Sequence, residues 1–251
     1  MRRFYAPHIS ADCTEVILEG DEARHAVQVL RLTQGDRLIV LNGKGDEFTC
    51  ECIESDKKFL RARVVEKVHK QKPFSEITLI QAIPKGKLIE DIIEKGVELG
   101  VSRIIPITTR RTVPDIEGRE IDKRKQRWQQ IAVSAIKQCG QVYLPEIERL
   151  TDFSTIVSSG QKSELSFVCV LTGDRKHPRY YFEEFRNKFN RNPTSVSVWI
   201  GPEGDFTEDE VGQIIDTGGN PITLGNLVLR VETAAIYALS VLNYELQWEK
   251  R

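Results

Sequence analysis

Ser195-Val196-Ser197-Val198-Trp199-Ile200-Gly201-Pro202-Glu203-Gly204-Asp205-Phe206-Thr207-Glu208-Asp209-Glu210 is the stretch on which the fold class turns. Ser195 to Ile200 has strand character and stops at a Gly-Pro-Glu-Gly turn. Thr207 and Glu210 then form a capping box that opens a helix through Ile215. The same alternation extends in both directions. Upstream lie a strand over Ser166–Thr172 and a helix over Tyr180–Phe189; downstream lie a strand over Pro221–Leu224 and a helix over Val231–Trp248. Nearer the N-terminus the order is strand Ile77–Ile83, helix Leu88–Leu99 closed by Gly100, strand Ile104–Ile107 and helix Asp122–Cys139. Strands alternating with amphipathic helices specify an α/β domain with a mostly parallel sheet.

The first part of the chain reads differently. Arg37–Leu41 and Glu47–Ile53 flank Asn42-Gly43, which predicts a hairpin, and Phe59–Val68 is a further strand. Asp21–Leu30 predicts a short helix with acidic residues at its start. The unit is small and mostly β, and reads as a barrel. Lys70-Gln71-Lys72-Pro73 is the best linker. The expected organisation is an N-terminal domain over 1–70, a linker over 71–75 and an α/β domain over 76–251.

Composition narrows the classes. The chain has 251 residues, 40% of them hydrophobic, and 36 basic against 37 acidic residues give a net charge of −1. That excludes a disordered chain and removes any argument for nucleic-acid binding from overall basicity. There is no apolar run of membrane-spanning length and no secretory h-region. Cys13, Cys50, Cys52, Cys139 and Cys169 form no CxxC pair and no zinc spacing, so no metal is expected, and free thiols point to the cytoplasm. Gly43-Lys44-Gly45 lacks the strand-to-helix context of a phosphate loop.

Ligands of open parallel sheets sit beyond the C-terminal strand ends. Three such ends carry Gly where an apolar strand stops: Val170–Asp174, Trp199–Phe206 and Thr223–Arg230. Glycine lets backbone groups approach a ligand, although three ordinary strand-to-helix turns satisfy the same pattern. No GxGxxG follows a strand, which disfavours a dinucleotide. Glu208, Asp209 and Glu210 open the helix after the second loop, a charge sign that repels phosphate. A phosphate-free nucleoside with a positive centre fits better, and S-adenosylmethionine is such a ligand.

Trp199–Thr207 and Leu224-Gly225-Asn226-Leu227-Val228-Leu229-Arg230-Val231-Glu232-Thr233-Ala234-Ala235 closely resemble the paired signatures of the small-subunit (16S) ribosomal RNA uridine N3-methyltransferases of the SPOUT superfamily. His25 with Val29-Leu30-Arg31, Glu94–Val101, Pro106 with Arg110-Arg111, Arg127-Trp128 and Gln138-Cys139-Gly140 with Pro145 agree in the same order. The resemblance implies an N-terminal PUA-like barrel, a C-terminal α/β domain with a deep trefoil knot, and a homodimer. Physical rules alone lead instead to an unknotted doubly wound sheet. Ala235, Leu239, Leu242 and Leu246 share one side of the last helix, a pattern that suits a dimer face and burial within one subunit equally.

By the same resemblance, S-adenosylmethionine is held by Leu171, Thr172, Ile200, Gly201, Pro202, Gly204, Leu224, Gly225, Asn226, Val228, Leu229 and Thr233. Arg230 and Glu232 are the candidate catalytic pair: the guanidinium would stabilise charge on the uracil, and the carboxylate would orient it or take a proton. The partner is 16S ribosomal RNA in the small subunit, contacted by Arg2, Arg3, Arg31, Arg110, Arg111, Arg124 and Arg127, with Phe4 and Tyr5 available for stacking. Gly201→Val is expected to abolish cofactor binding with the fold retained. Replacing Arg110 and Arg111 by Ala is expected to weaken RNA binding and leave cofactor affinity alone. The chain departs from the family at Asp205, where a Gly is usual, and at Leu227 and Gln141, where an Arg is usual. Asp205 either narrows its loop or brings a carboxylate near the sulfonium. A non-catalytic RNA-binding assembly factor and an α/β enzyme with another nucleoside ligand are the competing readings.

Overall fold

The computed structural model describes residues 1–112, 118–160 and 162–247; Trp248, expected within the last helix, lies outside the described residues. The chain divides into two units, Met1–Lys72 with Val133–Leu144, and Pro73–Ala132 with Pro145–Arg251.

The first unit holds β1 (Arg2–Tyr5), β2 (Glu15–Glu19), β3 (Arg37–Leu41), β4 (Asp46–Ser55) and β5 (Phe59–His69), in the sheet order β1-β3-β4-β5-β2. α1 (Gly20–Arg24) runs into a π-helical turn over His25–Val29 rather than continuing as the single short helix expected. Period-2 alternation sets the core: Phe48, Cys50 and Cys52 of β4 are buried with Val16, Leu18, Leu38, Val40, Leu60 and Ala62. Cys50 and Cys52 share that face as free thiols, and burial pushes the Cys50 thiol up to about 12. The hairpin turn is fixed by Asn42, whose Oδ1 accepts from the Lys44 N–H at 2.8 Å.

The structure corrects the expectation of an RNA-facing N-terminal segment at Phe4 and Arg3. The segment is the strand β1, paired in parallel with β3. Phe4 is fully buried in the core and cannot stack on a base. Arg3 is half-buried, and its Nη1 donates to the Lys137 and Gln138 carbonyls at 3.4 and 3.2 Å. These carbonyls end the helix that closes at Cys139, where the chain turns at Gly140 (φ +82°). Arg3 thus acts as a side-chain cap for orphan carbonyls. Arg2 and Arg31 remain exposed.

The second unit holds β6 (Glu76–Ala82), α2 (Leu88–Glu98), β7 (Arg103–Thr108), α3 (Arg119–Cys139, in this unit up to Ala132), β8 (Glu146–Ile147), β9 (Thr151–Asp152), α4 (Phe153–Ser158), β10 (Leu165–Cys169), α5 (Pro178–Phe189), β11 (Ser195–Ile200), α6 (Glu208–Asp216), β12 (Gly219–Ile222) and α7 (Val231–Leu246). The strands form one parallel sheet in the order β12-β10-β11-β6-β7-β8, with β9 also paired to β7. One core cluster joins Ile80, Ala82, Ile105, Ile107, Val168 and Trp199 to Phe153, Phe206 and Ile214. Ala235, Leu239 and Leu242 of α7 are buried in the subunit itself, which fits the reading of burial within one subunit for these three, and Leu246 is half-buried. Tyr237 and Tyr244, seven residues apart, are the helix's exposed aromatic residues, Tyr244 at 76%. β10 stops at Cys169 and β12 at Ile222, short of the expected Thr172 and Leu224. The residues that leave the ladder form the walls of the site.

The segments that lead into β10 and β11 carry a pH-dependent clamp. Glu164 accepts from Arg191 at 2.6 Å and from the Thr194 N–H at 2.6 Å, and Arg191 first, then Thr194, hold its carboxyl down at about 2 against an ordinary 4.5. A depressed folded-state pKa stabilises the protein above the ordinary value, and that stabilisation is lost as pH falls toward about 2. Glu164→Gln is therefore expected to lower stability at neutral pH, with the gap to wild type shrinking between about pH 5 and 2 in urea titrations. A gap independent of pH would contradict this.

Among the described residues no helix is long and apolar enough to cross a membrane, and no group of three or more His, Cys, Asp or Glu is placed to hold a metal ion.

Candidate active site

Three loops leave the C-terminal ends of β10, β11 and β12 and enclose a cavity of about 530 Å³. That lies within the range of small-ligand sites, about 300–1,000 Å³. The first loop contributes Leu171, the second Ile200, Gly201 and Pro202, and the third Leu224, Gly225, Asn226, Val228, Leu229, Arg230 and Glu232. Eleven of the fourteen cofactor and catalytic positions named from the sequence thus meet around one space. Thr172, Gly204 and Thr233 belong to the same segments but do not line it. Outside the loop stretches singled out in the sequence, Leu88, Cys169, Arg175 and Ile222 also line it. Arg175 carried a signal, a cation two residues past the Gly173 at a strand end. Leu88, on a helix from elsewhere in the chain, carried none.

Local chemistry shapes each loop. In α6 the capping box is complete: the Glu210 N–H donates to Thr207 Oγ1 at 3.2 Å, and the Thr207 N–H donates to Glu210 Oε2 at 2.8 Å. Glu210 is buried and also accepts from the Arg110 N–H at 2.9 Å, so this carboxylate is committed to structure. In the third loop the Thr223 hydroxyl accepts from the Gly225 N–H at 3.2 Å and donates to the Gly225 carbonyl at 3.0 Å. Gly225 has φ +118°, a conformation glycine adopts readily. Among the described residues, its chain neighbours aside, nothing lies within 4 Å of where a Cβ would stand, so the backbone faces open space. Leu227 and Val228, 79% and 78% exposed, follow it.

Gly201 corrects an expectation. A Cβ at this position would stand 2.9 Å from Asp205 Oδ1 and 3.0 Å from the Phe206 nitrogen. Gly201 is small to let its own loop close, so Gly201→Val would distort the loop before it met any ligand. Gly225→Ala is the cleaner probe. The strained φ would shift the loop backbone at a cost of roughly 1–3 kcal/mol. We expect S-adenosylmethionine affinity to fall about tenfold by calorimetry, with the protein still folded and its unfolding midpoint lowered by several degrees. Unchanged affinity would remove Gly225 from the site.

Arg230 is the N-cap of α7 and makes no capping hydrogen bond. Among the described residues it forms no ion pair, with Glu232 or any other group. A cation at a helix N-terminus opposes the dipole. Arg175 donates to the Val170 carbonyl at 2.8 Å, which holds the first loop. Burial, and then the Asp205 charge, push the Cys169 thiol up, so it is protonated.

The arginines assigned to RNA are used unequally. Arg110 pairs with Asp209 at 2.6 Å, Arg124 with Glu120 at 2.9 Å and Arg127 with Glu90 at 2.8 Å, all at the surface, where such pairs are weak. Arg111 instead donates to the Gly204 and Phe206 carbonyls at 2.5 and 3.4 Å. It braces the second cavity loop, so its removal reaches the cavity as well as the surface charge. Arg110→Ala is therefore the cleaner test of the expectation that surface charge can be removed without touching cofactor affinity, because Arg111→Ala also removes a brace of the second loop.

A parallel-sheet unit with a nucleoside-sized cavity at its strand ends, in one chain with a small β unit, defines the class. The family model of an RNA methyltransferase domain matches residues 70–243, and that of an RNA methyltransferase PUA domain matches residues 18–65. A Bacillus subtilis relative, ribosomal RNA small subunit methyltransferase E, is 30% identical over 92% of this chain and 90% of its own. The crystal structure of ribosomal RNA small subunit methyltransferase E from Neisseria gonorrhoeae bound to S-adenosyl methionine matches with TM-score 0.83 and 27% identity over 97% of each chain. A Legionella pneumophila protein in complex with the same cofactor matches with TM-score 0.84 and 32% identity over 96% of each chain. The chain belongs to the family of ribosomal RNA small subunit methyltransferase E.

Proposed function

We propose that this protein is the S-adenosylmethionine-dependent enzyme that methylates N3 of a specific uridine in 16S ribosomal RNA. The observation that carries this reading is the cavity itself: three glycine-bearing loops converge on it, and Arg230, which forms no ion pair among the described residues, lies on its wall. The lining fits the cofactor. Leu171, Ile200, Leu224 and Leu229 offer apolar cover, Gly225 offers open backbone, and the acidic groups suit a cationic ligand. Bound there, S-adenosylmethionine supplies an electrophilic methyl group. The chain must hold the uridine in line with that methyl and stabilise the anion that forms as N3 loses its proton. Arg230 donates to a uracil carbonyl oxygen for this purpose, and Glu232, two residues on, orients the guanidinium or accepts the proton.

The rest of the reading follows from this role. Residues 1–70 form the RNA-holding domain, 71–75 link it, and 76–251 carry the chemistry, with Val133–Leu144 packed into the first unit. The trefoil knot is part of the same reading. In support, the chain leaves the edge strand β12 and α7 returns to pack on β11, β6 and α2. The enzyme acts as a homodimer through the exposed face of α7 marked by Tyr237 and Tyr244, and five free thiols support a cytoplasmic location. Titration calorimetry with S-adenosylmethionine tests the reading against a non-catalytic assembly factor. Micromolar binding supports the enzyme, and absence of binding by folded protein supports the alternative.

A further inference from the structure

Asp205 is one of three described non-glycine residues with left-handed backbone, at φ +62°. Asn190 caps a helix and Arg31 follows the π-helical turn; Asp205 alone of the three lines the cavity. Its N–H donates to the Pro202 carbonyl at 2.9 Å, and its Oδ1 accepts from the Phe206 N–H at 2.8 Å. A Cβ on Gly201 would stand only 2.9 Å from that oxygen. The carboxylate is therefore clamped by its own loop, at the cost of an unfavourable φ. Among the described residues no cation pairs with it.

The other charges around the cavity are placed differently. Glu203 is exposed, and its Oε1 accepts from the Lys85 N–H at 2.8 Å. Arg175 is tied to the Val170 carbonyl, and Arg230 and Glu232 stand at the start of α7. Asp205 is half-buried, and its charge reaches Cys169, another residue of the cavity wall, where it adds to burial in keeping the thiol protonated.

We propose that Asp205 makes the cavity selective for ligand charge, favouring a cationic sulfonium nucleoside over the neutral thioether nucleoside left after methyl transfer. The inference rests on the cofactor reading above and adds a direction to it. When the S–CH3 bond breaks, its electron pair stays on sulfur and the positive charge is lost, so the attraction of Asp205 ends with the reaction and product leaves more readily.

Titration calorimetry of wild type and Asp205→Asn with S-adenosylmethionine and with S-adenosylhomocysteine tests this. Asn keeps the shape, can accept from the Phe206 N–H, and tolerates left-handed backbone. The expected result is a loss of about tenfold in affinity for the sulfonium ligand, with the thioether ligand within about twofold. Asp205→Gly, which relieves the φ strain, should show the same selective loss. Equal losses for both ligands, or no loss for either, would overturn the proposal. Wild type that takes up neither ligand would overturn the cofactor reading itself and this inference with it.

Discussion

Arg230→Ala should methylate at about one hundredth of the wild-type rate or less under saturating RNA and cofactor, the cost typical of removing a donor aimed at developing charge. S-adenosylmethionine affinity should stay within a few-fold, because the interaction forms with the uracil and not with the cofactor. Stability should not fall. Among the described residues Arg230 has no ion pair and no side-chain capping bond, and it places a cation at the positive end of the α7 dipole. A residue whose removal helps the helix and stops the chemistry is not there for the fold. Arg230→Lys should recover little, since it loses the planar fork. Near-wild-type turnover for Arg230→Ala would remove this role.

The second large effect concerns the frame behind the cavity. α5 and α7 each follow a loop that lines the site, and they are joined by a buried ion pair, Arg186 to Glu245 at 2.9 Å, with both side chains only 10% exposed. Arg186 also donates to the Glu245 carbonyl at 2.5 Å and to Asn192 Oδ1 at 2.9 Å, and its guanidinium lies 5.2 Å from the Phe182 ring centre. Replacing Glu245 takes from the nearly buried Arg186 guanidinium the carboxylate it faces. Glu245→Leu should therefore cost roughly 3–5 kcal/mol in urea unfolding. The double variant Arg186→Leu with Glu245→Leu should recover part of that loss, because two well-packed apolar residues leave no stranded charge. A cost below about 1 kcal/mol would show that the pair behaves as a surface bridge.

What could be read from the sequence follows the range of the interactions involved. The capping box at Thr207 and Glu210 spans three residues and was legible, as were the glycine-bearing strand ends, because a ligand-facing loop must begin where an apolar run stops. β1 was not legible. Its partner β3 is far along the chain, and Arg2-Arg3-Phe4-Tyr5 reads equally well as a basic aromatic arm. The bond of Arg3 to carbonyls 134 and 135 residues away has no local trace. For the same reason nothing in Val133–Leu144 announced that the end of α3 belongs to the first unit. Gly201 shows the limit at a single position. The sequence marks its smallness as necessary, but the atoms that require it are the Asp205 carboxylate and the Phe206 nitrogen of its own loop.

Transfer of a labelled methyl group from S-adenosylmethionine to isolated small ribosomal subunits, followed by nucleoside analysis of the RNA, tests the central claim most directly. The account predicts label in N3-methyluridine at a single position of 16S ribosomal RNA, absent with the Arg230→Ala variant. Label on another atom or another nucleoside, or no label from protein that binds the cofactor, would contradict it.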